Sequence, residues 1–425
     1  MNTRLVAADM ADHGKAPAKP SALDRLARRA VLSRLAGLDA GQIIIVEGDE
    51  RTTYGRCTED FPDTVVLRVQ SPRFFSDIAF GGAAGAGESY INGMWATDDL
   101  TTLLRILLRN RAVLEKMDSG FAVISRPLTK LMHALNRNTR KGSRKNIAAH
   151  YDLGNDFYEL WLDPTMMYSS AYFDTPDTSL DAAAVAKLDR ICRKLKLSAG
   201  DAVMEIGTGW GGFAMHAAAN YGCHVTTTTI SRQQHDYAKQ AIVDAGLDDR
   251  ITLLFKDYRD LKGQYDKLVS IEMIEAVGHE YHDTFFSKCC ELLKPDGQML
   301  LQAITIADQR YESYKKGVDF IKRFVFPGGC LTSVTDMSRS LTENTDMRVI
   351  HLEDIGPHYA TTLRHWHERF QARLDEVREL GYSDAFIRLW QFYLAYCESA
   401  FTERATGNVQ MLMMRPGARR ERFSY

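Results

Sequence analysis

Ala202-Val-Met-Glu-Ile-Gly-Thr-Gly-Trp-Gly-Gly-Phe213 is the stretch whose reading decides the fold. Residues 202–206 are a short apolar run and read as a buried strand. Gly207-Thr-Gly209-Trp-Gly211-Gly212 reads as a tight turn, and 213–220 as a helix. A strand, a glycine turn and a helix N-terminus let a nucleotide-like ligand lie against bare backbone, because glycine has no Cβ to hold it away. A second strand follows at 224–229, as a nucleotide fold requires.

The dinucleotide fingerprint is Gly-x-Gly-x-x-Gly with an acidic residue about 20 positions on. Here the third glycine comes one place early and the second strand ends in threonines, which argues against NAD or FAD. Glu205, just before the first glycine, points instead to S-adenosylmethionine, whose cationic groups favour a nearby carboxylate. Outward from this turn the chain alternates. Helix 232–245, strands 251–255 and 267–271, helix 280–293 and strand 298–304 follow in order. An aromatic and basic insertion at 306–343 precedes the last two strands, 347–353 and 409–414, which flank a helical segment rich in Trp, Tyr and Phe. The expected class is α/β: a Rossmann-like, mainly parallel seven-stranded sheet with helical insertions.

The chain has 425 residues, 45% hydrophobic and 25% charged, with a net charge of −2. That balance predicts no partner by itself. Seven cysteines show no Cys-x-x-Cys pair and no zinc spacing, so reduced thiols and a cytoplasmic setting are expected, with no metal. No apolar run reads as a signal peptide or approaches the roughly 20 residues of a membrane span.

Residues 1–20 read as a disordered tail and 21–118 as a small N-terminal α/β module. In that module Ser21 caps a helix with Leu23, Leu26, Ala30 and Val31 on one face. Strands are expected at 42–47 and 64–70 around a polar turn, with 81–87 as a flexible glycine-alanine link. Residues 119–149 form a basic linker with no acidic residue after Asp118, either plainly solvated or drawn to an anionic membrane at about 1 kcal/mol per cation. No stacking aromatics are interleaved with the charges, which disfavours nucleic acid. Residues 150–425 make up the main domain.

Several spaced motifs carry a family resemblance from about Asn146 to Met414. They are Ala149-His-Tyr-Asp-Leu, Tyr168-Ser-Ser-Ala-Tyr-Phe, Glu205-Ile-Gly-Thr-Gly-Trp-Gly-Gly, Thr229-Ile-Ser-Arg-Gln-Gln, Glu272-Met-Ile-Glu-Ala-Val-Gly-His, Phe326-Pro-Gly-Gly and His358-Tyr-Ala-Thr-Thr-Leu. Together they resemble the cyclopropane fatty-acyl-phospholipid synthases and mycolic acid cyclopropane synthases. The resemblance implies an S-adenosylmethionine methyltransferase fold acting on cis-unsaturated acyl chains, peripheral at the inner membrane face, and a homodimer through the N-terminal module. Matching positions imply cofactor contacts at Tyr168, Ser169, Gly207, Gly209, Gly211, Thr229 and Gln234. Asp257 would lie near the adenine, or be a solvated strand-end charge.

The family resemblance also implies a bound bicarbonate that removes a proton from the new methyl group. Glu275, Tyr359 and the Ile304 amide match its holders, whereas Ser170 stands where Cys is usual and Gln302 where His is usual. Both can donate hydrogen bonds, but Gln302 cannot carry a charge or shuttle a proton. The implied product is a cyclopropane chain. The alternative is methylation without ring closure, giving a methylene- or methyl-branched chain. An amine N-methyltransferase and a non-catalytic lipid-binding protein are the rivals from other classes. Read alone, Glu275 pairs with a basic residue, Tyr359 is a core aromatic, and His279 and His282 are surface or capping groups. His150 packs in a pocket cover or is catalytic. The stretch 320–326 is an ordinary amphipathic helix or a membrane-facing lid.

Overall fold

The computed structural model describes residues 20–111 and 153–419. The tail 1–19, the basic linker 119–149 and His150 lie outside them. The chain divides into two compact units, one of 1–135, 316–325 and 371–405, the other of 136–315, 326–370 and 406–425. The partition along the sequence therefore differs from the partition in space. Residues 316–325 and 371–405, assigned above to the main domain, cluster with the N-terminal residues, because helix Asp384–Thr402 packs on helices Arg73–Ile91 and Leu100–Arg109.

In the first unit, strands β1 (Gly41–Glu47), β2 (Glu50–Arg56), β3 (Thr64–Val69) and β4 (Trp95–Thr97) form a sheet in the order β2-β1-β3-β4. β2 falls where a polar turn was expected; as an exposed edge strand of Thr, Arg and Glu it shows no apolar alternation. Ser21 does cap helix Ala22–Leu35, but the buried face is Ala27, Val31 and Leu35, with Leu23 and Leu26 more than half exposed. Residues 81–87 are not a link. They belong to helix Arg73–Ile91, kinked at Gly82, and their small side chains allow close packing. A Cβ on Gly87 would meet the Phe320 ring at 2.4 Å. Within 320–326, Ile321–Val325 is a π-helical turn rather than an ordinary α-helix, with Phe320 and Lys322 buried.

The second unit carries β5 (Ala202–Ile206), β6 (His224–Thr229), β7 (Ile251–Phe255), β8 (Tyr265–Ile271), β9 (Leu293–Ile306), β10 (Arg348–Asp354) and β11 (Thr406–Met414), ordered β10-β11-β9-β8-β5-β6-β7. Pairing is parallel from β9 through β8, β5 and β6 to β7. β11 runs antiparallel to both neighbours, so it alone is reversed. This is the seven-stranded, mainly parallel sheet of the sequence reading. Successive residues face opposite sides: Met299 and Leu301 enter one core and Leu300 the other, as do Met411 and Leu412. Helix Leu180–Leu195 covers the Leu300 side and helix His282–Leu292 the Leu301 side. His282 is not a surface group; it is fully buried, with Nδ1 2.7 Å from Asp336 Oδ2.

Candidate active site

Strand order reverses between β5 and β8, and in such sheets ligands lie outside the carboxyl ends of the strands at that point. The glycine turn sits there. Gly207, Gly209 and Gly211 all have positive φ (106°, 54° and 96°), which side-chain-bearing residues rarely adopt. A Cβ on Gly209 would meet nothing within 4 Å, so the backbone is bare on that side. A Cβ on Gly212 would instead meet Thr165 O at 2.5 Å and Met167 Sδ at 2.8 Å. That close approach docks the segment carrying Tyr168, Ser169 and Ser170 onto the turn. Asp163 shapes the segment, accepting from Thr165 N (2.8 Å), the Thr165 hydroxyl and Met167 N (3.3 Å).

Glu205 is buried at the end of β5, accepts from Thr227 Oγ1 at 2.6 Å, and is pushed up to about 8 by burial. Thr229 and Gln234 close the second strand: Gln234 Oε1 accepts from Thr229 Oγ1 at 3.0 Å, under the Ser231 cap of helix Arg232–Asp244. Asp257 is not a solvated charge. It is 4% exposed and bidentate to Arg259, with contacts of 2.8 and 2.6 Å. Sequence reasoning missed Lys187. Buried on the inner face of helix Leu180–Leu195, it donates to Ser169 Oγ at 2.8 Å, and burial pushes it down to about 8 against the pull of Glu272, Asp163 and Glu205. A lone lysine at a core position between Ala184 and Ile191 was the available signal.

Of the residues matched to an anion site, Ser170, Gln302, Ile304 and Glu275 lie around β8 and β9, in two sets of hydrogen bonds to protein carboxyl groups. Ser170 N (3.0 Å), Gln302 Nε2 (2.8 Å) and Asn408 Nδ2 (2.5 Å) all donate to one oxygen, Oε1 of Glu272. Ser170 contributes its backbone N–H; its hydroxyl donates to Ala171 O at 2.9 Å. The Ile304 amide donates to Glu275 Oε1 at 2.5 Å, while Glu275 Oε2 is buried without a partner. Burial first, then the neighbouring Glu272 charge, push Glu275 up to about 8. Glu275 thus pairs with a main-chain amide rather than with a basic residue. In this arrangement the Ser170, Gln302 and Ile304 donors that a bicarbonate would use are committed to two protein carboxyl groups.

The same segment reaches an aromatic wall. Ala171 N donates to Thr362 Oγ1 at 3.1 Å, and Tyr168 lies 5.4 Å from Trp366 and 6.3 Å from Phe326. Tyr359 is 5% exposed and edge-on to Trp366 at 5.9 Å. Such π faces stabilise positive charge without reacting with it. Among the described residues no His/Cys/Asp/Glu cluster suits a metal, and no helix is long and apolar enough to cross a membrane.

Residues 138–411 match the family model for mycolic acid cyclopropane synthetase. The chain is 39% identical to the cyclopropane-fatty-acyl-phospholipid synthase of Escherichia coli, over 80% of this chain and 85% of that one. It is 37% identical to the tuberculostearic acid methyltransferase of Mycobacterium tuberculosis, over 79% and 80%. A mycolic acid cyclopropane synthase structure complexed with SAH and CTAB superposes with a TM-score of 0.60 at 31% identity, covering 64% of this chain and 98% of that one. Coclaurine N-methyltransferase (TM-score 0.61, 19% identity, 77% of this chain and 98% of that one) shares the fold.

Proposed function

Because this chain belongs to the mycolic acid cyclopropane synthetase family, and so is an S-adenosylmethionine-dependent methyltransferase of lipid acyl chains, we propose that it methylates cis double bonds in phospholipids. The product we assign is a cyclopropane acyl chain, made from the cytoplasmic face of a membrane that the protein touches peripherally, as a homodimer. One observation carries the reading: Glu272, beside Glu275, is tied to an aromatic wall through the segment 168–171. S-adenosylmethionine supplies an electrophilic methyl group.

The chain's residues do the rest. The glycine turn, Ser169 and Glu205 orient the cofactor, while Tyr168, Trp366 and Tyr359 stabilise the cation that forms when an alkene carbon is methylated. A carboxylate then removes a proton from the new methyl group, and that C–H electron pair closes the ring. A second reading, methylation without ring closure to a methylene- or methyl-branched chain, is favoured by Ser170 and Gln302 standing where the family usually has Cys and His and by the similarity to a tuberculostearic acid methyltransferase.

Mass spectrometry and proton NMR of lipids from expressing cells test both. Upfield ring protons on chains that gain one CH2 support the first reading; vinyl or methyl-branch signals transfer the assignment to the second. Folded protein that leaves every lipid unchanged, yet methylates a soluble amine, would refute lipid methylation.

A further inference from the structure

We propose that the Glu272 carboxylate is the resident proton acceptor of this site and replaces a diffusible bicarbonate. The inference deepens the methylation reading and rests on it.

Glu272 follows β8 directly and has a φ of +49°, a backbone region that costs a non-glycine residue about 1–2 kcal/mol. Something must hold it there, and three side-chain or main-chain donors on Oε1 do so, together with its own amide, which donates to Gln302 O at 2.8 Å. Oε2 accepts no hydrogen bond among the described residues, and Glu272 is only partly buried. One oxygen is therefore anchored and the other is free to take a proton.

The anchoring has a direction. Lys194 Nζ, which can only donate, gives a hydrogen bond to Gln410 Oε1 at 2.7 Å. Gln410 Nε2 donates to Gln302 Oε1 at 3.0 Å, and Gln302 Nε2 donates to Glu272 Oε1 at 2.8 Å. A cation at one end and a carboxylate at the other fix both amides, and each bond polarises the next. This explains why position 302 is glutamine: the chain of bonds needs one acceptor and one donor there, and no charge. Bicarbonate would find its Gln302, Ser170 and Ile304 donors already used.

The step balances without it. The carbon–sulfur bond breaks and a carbon–carbon bond forms from the alkene pair, leaving a cation on the other alkene carbon. Glu272 Oε2 takes a proton from the new methyl group, the C–H pair forms the last carbon–carbon bond, and the carboxylic acid later returns its proton to water.

The test uses full-length protein, vesicles of cis-unsaturated phospholipid and S-adenosylmethionine, in buffer freed of carbon dioxide or supplemented with bicarbonate. Wild type should be indifferent to bicarbonate. Glu272→Gln keeps the shape and an acceptor for Ser170 and Gln302, but loses the base, and its rate should fall about a hundredfold or more. Glu272→Gly, well suited to the positive φ, should fall similarly and recover saturably with bicarbonate or formate. A second readout needs no turnover: the carbon-13 signal of labelled bicarbonate should broaden with the glycine variant and not with wild type. Wild-type dependence on bicarbonate, or a glutamine variant within threefold of wild type, would overturn the proposal. If wild type methylates no lipid, the functional reading fails; broadening with wild type then overturns this inference as well, and broadening with the glycine variant alone upholds the occupied anion site.

Discussion

Replacing Glu275 by Gln offers a direct measure of how the site stores charge. Its carboxyl accepts from the Ile304 amide through Oε1, hides Oε2 from water without a partner, and sits beside the Glu272 charge. Burial first, then the Glu272 charge, outweigh the lowering effect of the Ile304 hydrogen bond and move it from 4.5 to about 8. Between those two values the folded state binds a proton that the unfolded state has lost, so stability falls as pH rises through that window. A rise of about 3.5 units corresponds to at most ~5 kcal/mol at 1.36 kcal/mol per unit, and structural relaxation will reduce this to a few kcal/mol. Glutamine imitates the protonated acid, keeping an oxygen for Ile304 N and hydrogens on the other side. The variant should match wild type near pH 5 and exceed it by a few kcal/mol at pH 8.5, as measured by urea denaturation of cofactor-free protein at both values. Taking the difference between the two proteins cancels Glu205, which titrates in the same window. Equal slopes of stability against pH would refute a buried, charge-coupled Glu275.

Three further outcomes are expected. Gly209→Ala, opening onto empty space but at φ +54°, should cost about 1 kcal/mol of stability yet weaken S-adenosylmethionine binding tenfold or more by calorimetry, whereas Gly212→Ala should mainly lower the melting temperature, its Cβ meeting Thr165 O at 2.5 Å. Gln410→Leu takes one acceptor from Lys194, which keeps Glu353, and leaves the Gln302 Oε1 acceptor without its donor, and should destabilise by about 1–3 kcal/mol in denaturant titration. Lys187 titrates near 8 when folded and 10.5 when unfolded, so wild-type stability should gain from this group as pH rises between those values; Lys187→Met should lose that gain, read by urea midpoints at pH 8 and pH 10.

Local sequence was enough for the elements whose pattern is self-contained. The glycine turn, the strands around it and the cap at Ser21 depend on neighbours a few positions away, and each was legible. The misreadings have a common cause. β2 is an exposed edge without an apolar face, and the glycines of Arg73–Ile91 look flexible until Phe320, more than two hundred residues on, is seen against Gly87. The candidate anion site divides in the same way. Ser170, Gln302, Ile304 and Glu275 could be picked out one by one, and it was the family resemblance that implied a shared chemical task for them.

What those residues hold was decided only by tertiary structure. β11 is the one reversed strand, so its first residues lie beside the end of β9, with Asn408 opposite Ile304 and Gln410 opposite Gln302. That register brings Asn408 to Glu272 and links Gln302 to Lys194 across 108 residues of chain, turning a set of donors read as a bicarbonate cradle into the mooring of a protein carboxylate. A hydrogen bond depends on a separation of about 3 Å in space, and no pattern along a single chain encodes which distant strands will supply it.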